Sequence, residues 1–241
     1  MLITSVRRNS IALGIFALVT SGILASTLLA TEERIATAER RAAEQALLEI
    51  VPRERHDNDM LSDRLPVPES LWPLLGLKAG GDIHIARTDG EWVAIIVPAV
   101  APDGYSGNIK MIVGINRDGS LAGVRVLNHQ ETPGLGDKVE LKKSDWILGY
   151  NGKSLNNPSV DQWKVKKDQG VFDQFTGATI TPRAVVQQVK RSLQFFEAAK
   201  TLPVLKARLQ STATVQEKKP SPERSGTLSS ESATTGGNDH G

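Results

Sequence analysis

The chain has no cysteine among its 241 residues. That one absence removes disulfides, thiolate metal sites, iron–sulfur ligation and cysteine nucleophiles together. Histidine is scarce as well, and His56, His84, His129 and His240 lie too far apart to suggest a zinc site. Neither sign of charge is in excess, since 29 basic and 27 acidic side chains leave a formal net charge of +2. Nucleic-acid binding calls for a concentrated basic face, so this balance argues against it. Any redox chemistry must therefore come from an organic cofactor. What remains, 39% hydrophobic and 23% charged residues, is the composition of a chain with a buried core.

One stretch lacks charge altogether. From Asn9 to Thr31 nearly every residue is small or aliphatic, and about 20 such residues cross a bilayer core of about 30 Å as a helix. Arg7 and Arg8 precede it and Glu32 and Glu33 follow, so the positive-inside rule puts residues 1–8 in the cytoplasm and the rest across the membrane. A cleaved signal peptide is the alternative. Its apolar region is about 7–15 residues and ends in a small-x-small site, whereas Leu28-Leu29-Ala30 lacks the first small residue. The pattern predicts a retained single-pass anchor over 9–31.

Residues 32–81 read as a helix and a connection. Ile35, Ala38, Ala42, Ala46, Leu47 and Ile50 recur at helical spacing until Pro52, and a Pro-, Asp- and Arg-rich stretch from Arg53 to Gly81 reads as a path over the surface. A domain over 82–210 follows. Ile83–Arg87 and Trp92–Val97 flank Asp89-Gly90, and Lys110–Ile115 and Leu121–Leu127 flank Asp118-Gly119; both are hairpin signals. Trp163–Lys166 suggests a further short strand. Val185, Val186, Val189, Leu193 and Phe196 form the apolar stripe of a helix over 182–200. The fold class is α+β, an antiparallel sheet packed with helices. From 211 to 241 Ser, Thr, Gly, Pro and Lys dominate, which reads as a disordered tail.

The segment Asp173-Gln174-Phe175-Thr176-Gly177-Ala178-Thr179-Ile180-Thr181-Pro182 carries the chemistry. Pro182 suits the first position of the helix and Thr181 its N-cap. Helix starts leave amides unpaired and favour anions, Gly177 and Ala178 let a ligand lie against the main chain, and Thr179 offers a hydroxyl there. Residue chemistry alone gives an anion-friendly turn with hydroxyls, which a simple capped turn would also satisfy.

Asp173-x-x-Thr176-Gly177-Ala178-Thr179 resembles the Asp-x-x-(Ser/Thr)-Gly-Ala-(Thr/Ser) signature of proteins modified by a flavin transferase. His129-Gln130-Glu131-Thr132-Pro133-Gly134-Leu135-Gly136-Asp137-Lys138, by itself a turned loop, resembles the Glu-Thr-Pro-Gly-Leu-Gly loop of the G subunit of the Rnf (or Rsx) electron-transport complex. That resemblance runs from the anchor to about Leu209, through Ala101–Gly107 and Trp163–Asp168. Thr176 stands where many relatives have Ser, and the tail is an addition.

The resemblance implies FMN joined by a phosphoester to Thr179, installed by a transferase with FAD as donor, since an unperturbed hydroxyl is a poor nucleophile. Asp173, Thr176, Gly177 and Ala178 would contact the cofactor, and Asp173 and the small residues would serve partly as the transferase's recognition site. Glu131, Thr132, Gly134, Leu135 and Gly136 would lie along the flavin. It implies an electron carrier with no turnover of its own, in a bacterial inner-membrane complex that couples electron flow between ferredoxin and NAD to ion movement. Its main domain would be periplasmic, and its partners the other membrane subunits and an iron–sulfur subunit. The C subunit of the sodium-pumping NADH:quinone reductase, a relative with the same linkage, is an alternative, as is a non-redox tethered module with Thr179 unmodified.

Other residues carry two readings each. Lys166 and Lys167 either neutralise the phosphate or form a solvated face beside Asp168. His129 is either a proton shuttle or a loop residue. Trp92, Trp146 and Trp163 either stack on a ring or fill the core. Asp103, Gly104 and Ser106 read as turn formers.

Overall fold

A computed structural model describes residues 2–210, so the predicted tail lies outside the described residues. The anchor and the helix after it form one unbroken 47-residue helix, α1 (Leu2–Leu48). Its stretch Arg8–Ser26 has a mean hydropathy of 1.7 and, at 1.5 Å per residue, is about as long as a bilayer core is thick. Ile11, Leu13, Phe16, Leu18 and Val19 are all more than half exposed. Apolar residues on every side, with no protein against them, suit lipid and not water. Thr20 and Ser26 turn their hydroxyls back onto the carbonyls of Phe16 and Gly22, at 2.8 and 2.7 Å, which satisfies both groups without solvent.

Five strands follow in meander order: β1 (Arg64–Pro66), β2 (Asp82–Thr88), β3 (Glu91–Ala101), β4 (Ile109–Asn116) and β5 (Leu121–Asn128), every neighbour antiparallel. Between β2 and β3 the turn residues Asp89 and Gly90 both have positive φ, 53° and 79°, which is the hairpin geometry that Asp-Gly favours. Alternation along the strands sorts side chains to two faces. Ile95 and Val97 of β3 and Met111, Val113 and Ile115 of β4 face the main core, with α3 (Ile180–Lys200) laid across them. Val185, Val189, Leu193 and Phe196 of α3 are fully or almost fully buried there, each worth about 1.5–3 kcal/mol of hydrophobic stabilisation.

On the opposite face, Ala94, Ile96 and Ile112 pack with Leu47, Ile50 and Val51 at the end of α1. The approach is close. A Cβ on Gly114 would lie 2.2 Å from Ile50 Cγ2, so glycine in the middle of β4 is what lets the anchor helix dock on the sheet. The domain is α+β, as the two hairpins and the helical stripe predict.

Three expectations are corrected. The stretch 53–81 is more than a surface path, because it holds the edge strand β1 and the short helix α2 (Trp72–Leu75), and it buries Met60, Leu65, Val67 and Leu75. Trp163–Lys166 forms no strand: Val165 makes an isolated bridge with Phe172, and Gly170 turns the chain so tightly that a Cβ there would sit 1.9 Å from the Lys164 carbonyl. The alternation that suggested a strand is only Trp163 and Val165 pointing inward from a loop closed on itself. Lastly, α3 begins at Ile180, so Thr179 and not Thr181 is the N-cap, and Pro182 is the third helical residue. Proline fits there as well, because the first turn has no use for its missing N–H.

Candidate functional site

Three segments converge at the start of α3: the β3–β4 loop over 102–108, the loop after β5, and the turn over 173–179. The last is a tight turn, in which Phe175 bridges Ala178 and the Ala178 amide donates to the Phe175 carbonyl at 3.1 Å. Gly177 lies at φ +81°, a conformation that penalises any Cβ. Trp146 braces the turn, with its Nε1–H on the Asp173 carbonyl at 2.8 Å and its ring 5.0 Å from that of Phe175.

Thr179 sits at the N-cap with α-helical backbone angles, φ −87° and ψ −30°, and its hydroxyl makes no capping bond. N-cap threonines ordinarily turn that hydroxyl onto an amide of the first turn. Here the hydroxyl is left over. So, among the described residues, are the amides of Thr179, Ile180 and Thr181, while the Arg183 amide takes the Thr179 carbonyl at 3.2 Å. Free amides at a helix start make an anion site.

The loop after β5 supplies the facing wall. Its Leu135 and Gly136 amides both donate to the Thr132 carbonyl, at 3.1 and 3.0 Å, and Gly134 lies at φ +78°. A cleft of about 340 Å³ lies between the walls, lined by Tyr105, Glu131, Thr132, Leu135, Gly136 and the run from Gly177 to Thr181. Its size falls within the small-molecule range of about 300–1,000 Å³. Tyr105, Leu135 and Ile180 are 68%, 42% and 44% exposed, an apolar rim around a floor of hydroxyls and amides. A larger groove of about 430 Å³ runs between α1 and β5, but it holds none of the two motifs' candidate contacts.

Of the residues singled out in the sequence, the cleft brings together Glu131, Thr132, Leu135, Gly136, Gly177, Ala178 and Thr179. Gly134, Thr176, Asp173 and Lys166 stand outside its lining. Lys166 instead pairs with Asp173 at 2.6 Å, both more than half exposed, and the Lys167 amide meets Gln174 Oε1 at 3.1 Å. Arg183 binds Asp168 through two hydrogen bonds of 2.7 and 2.9 Å; those bonds lead in holding the Asp168 carboxyl below its ordinary value. This polar belt ties 166–168 to the turn on one side and to α3 on the other.

His129 faces away from the cleft, its Nε2 2.7 Å from Glu140 Oε1 and its Nδ1 accepting the Glu131 amide at 3.0 Å. Trp92 and Trp163 belong to the core. Sequence reasoning missed Tyr105 and Ile180, and it placed Thr181 only as a cap. The string Ala101–Gly107 was the available signal for Tyr105; nothing local marks Ile180.

Residues 104–194, which hold the cleft, match the FMN-binding domain family, and residues 1–50 match the RnfG N-terminal region. The chain is similar to the G subunit of the ion-translocating oxidoreductase complex of Pseudomonas aeruginosa, 50% identical over 194 residues that cover 80% of this chain and 90% of that one. The protein of the same name from Vibrio cholerae is 45% identical over 194 residues, 80% of this chain and 91% of its own. That from Pseudoalteromonas atlantica is 45% identical over 195 residues, 81% and 90%. Anchor helix, cleft and overall likeness agree, and the chain belongs to the family of G subunits of ion-translocating oxidoreductase complexes.

Proposed function

We propose that Thr179 carries FMN as a phosphoester and that the protein is a fixed one-electron carrier in its complex. The observation that carries this reading is the Thr179 hydroxyl, left without a partner at a helix start whose first amides are also free. The residues fit the group. The amides of Thr179, Ile180 and Thr181 suit a phosphate, Gly177 and Ala178 leave the main chain open to it, and Leu135, Ile180 and Tyr105 offer apolar surface for a planar ring.

Attachment is a phosphoryl transfer. The Thr179 oxygen bonds to the FMN phosphorus of FAD, the pyrophosphate bond breaks, AMP leaves and the hydroxyl proton passes to solvent. Asp173 and Thr176, exposed on the same turn, are placed for a flavin transferase to read. Once bound, the flavin supplies one-electron chemistry. The chain's own part is to seat it, shield one face and set its surroundings. A single spanning helix encloses no ion path, so ion movement belongs to the other subunits, among which we include an iron–sulfur protein. The arginines before the span and the glutamates after it support a periplasmic location of the FMN domain at the inner membrane.

Mass spectrometry of the full chain co-expressed with a flavin transferase tests the linkage. The peptide containing Thr179 should gain the mass of FMN less water, and Thr179→Ala should abolish the gain. Since the Thr179 side chain caps nothing, Thr179→Ala should cost well under the ~1 kcal/mol of a working N-cap. An unmodified peptide beside an active transferase would leave a tethered binding module in place of a carrier.

A further inference from the structure

Glu131 is buried, with only 4% of its surface exposed, yet both its carboxyl oxygens are engaged by distant parts of the chain. Oε1 accepts the Ser106 amide at 2.9 Å from the β3–β4 loop. Oε2 accepts the Thr181 hydroxyl in the first turn of α3. Both partners are donors, which suits an ionised carboxylate, a group that only accepts. Among the described residues no cation pairs with it.

The space around this carboxylate is cleared by glycine on two sides. A Cβ on Gly104 would stand 2.8 Å from Oε1, and one on Gly136 would stand 2.8 Å from Thr181 Oγ1 and 2.9 Å from Glu131 Cβ. His129 orients the main chain by accepting the Glu131 amide. Such a group needs the hydrogen bonds it has, because burying an ionised carboxylate unpaired is costly. It also leaves the backbone amides at the start of α3 free, because it takes only the hydroxyl of Thr181.

We infer that Glu131 is a positioning residue with two effects. Its carboxylate latches the three walls of the cleft together. Its charge, buried and with no counter-cation among the described residues, also opposes the negative charge that a flavin gains on reduction, and so holds the flavin potential down. The second effect rests on the cleft being the flavin seat; the latch does not.

Two variants separate the effects. Glu131→Gln keeps an acceptor for the Ser106 amide and can donate to Thr181, so it removes charge alone, whereas Glu131→Ala removes the latch as well. Amide exchange is measured on the full chain carrying Thr179→Ala, which holds no flavin. There Glu131→Ala should speed exchange at Ser106 at least tenfold and Glu131→Gln should not; unchanged exchange in Glu131→Ala overturns the latch. Redox titration of flavin-loaded protein should give Glu131→Gln a midpoint potential more positive than wild type. An unchanged or more negative potential overturns the electrostatic effect. Wild-type protein that takes up no flavin beside an active transferase removes the cofactor reading and the electrostatic effect together, while exchange at Ser106 still decides the latch.

Discussion

Tyr150 lies fully buried in a stack of rings, with centroids 4.8 Å from Phe172 and 6.4 Å from Trp163, and among the described residues its hydroxyl finds no partner. Burial pushes that phenol well above its ordinary value of 10.0. A raised value means that the fold favours the neutral phenol. This contribution is intact below about pH 10 and is lost as pH rises beyond it, because the unfolded chain ionises first. Tyr150→Phe should therefore raise stability by about 1 kcal/mol at pH 7, the lower end of what an unsatisfied buried group costs. It should also weaken the alkaline decline; urea unfolding from pH 7 to 11 reads both. The two glycines of the loop after β5 make a second pair of cases. Gly134 has open space around it but φ +78°, whereas the obstacle at Gly136 is steric. Gly134→Ala should cost about 1–2 kcal/mol and Gly134→Asn less, since Asn tolerates that backbone region. At position 136 Asn should be no better than Ala. By local chemistry both read as parts of a turned loop, and the resemblance gave them only as flavin neighbours; the reason for Gly136 sits on Thr181, far along the chain, where local pattern cannot reach.

Among the elements, those with long regular patterns were legible. The hairpins around Asp89-Gly90 and Asp118-Gly119 and the stripe of α3 follow from periods of two and 3.6. β1 was not, because Arg64–Pro66 has a single inward residue, Leu65, too little to show a period. The start of α3 was misplaced because Thr181-Pro182 looks like a cap and first position. Its hydroxyl is instead held by Glu131, and only the folded chain reveals that. The site itself was legible as motifs but not as a cleft, since Tyr105 enters from a third segment. Arg87 shows how the least legible region is held. Its side chain is 3% exposed, its Nε meets Asp63 Oδ2 at 2.7 Å, and it also donates to the carbonyl of Leu209 at 3.1 Å. It thereby ties the connection before β2 to the end of α4 (Pro203–Gln210). Arg87→Ala takes the cation from a largely buried carboxylate, which keeps the Asn58 side-chain amide, and frees the Leu209 carbonyl of α4, so it should cost about 3–5 kcal/mol in denaturant unfolding. Asp63→Asn in the same chain should recover part of that loss.

Across the whole molecule, the boundary between membrane anchor and flavin domain falls inside one helix. From Arg8 to Ser26 α1 exposes its aliphatic residues on all sides, whereas Leu47 in its last turn and Ile50 and Val51 just past its end are core, between 0 and 3% exposed. A chain beginning at Thr31 should therefore be soluble without detergent and unfold at the same denaturant concentration as the full protein. One beginning at Pro52 should not match it. Removing Leu47, Ile50 and Val51 uncovers Ala94, Ile96 and Ile112 on the far face of the sheet, and at about 1.5–3 kcal/mol for each buried aliphatic the loss is comparable with the whole stability of many domains. Equal midpoints for the two truncations would mean that α1 ends beside the sheet without supporting it. A large drop for the second alone would mean that the anchor is built into the domain. The helix that holds the protein in the bilayer would then also fix where the sheet, and with it the Thr179 cleft, stands above the membrane.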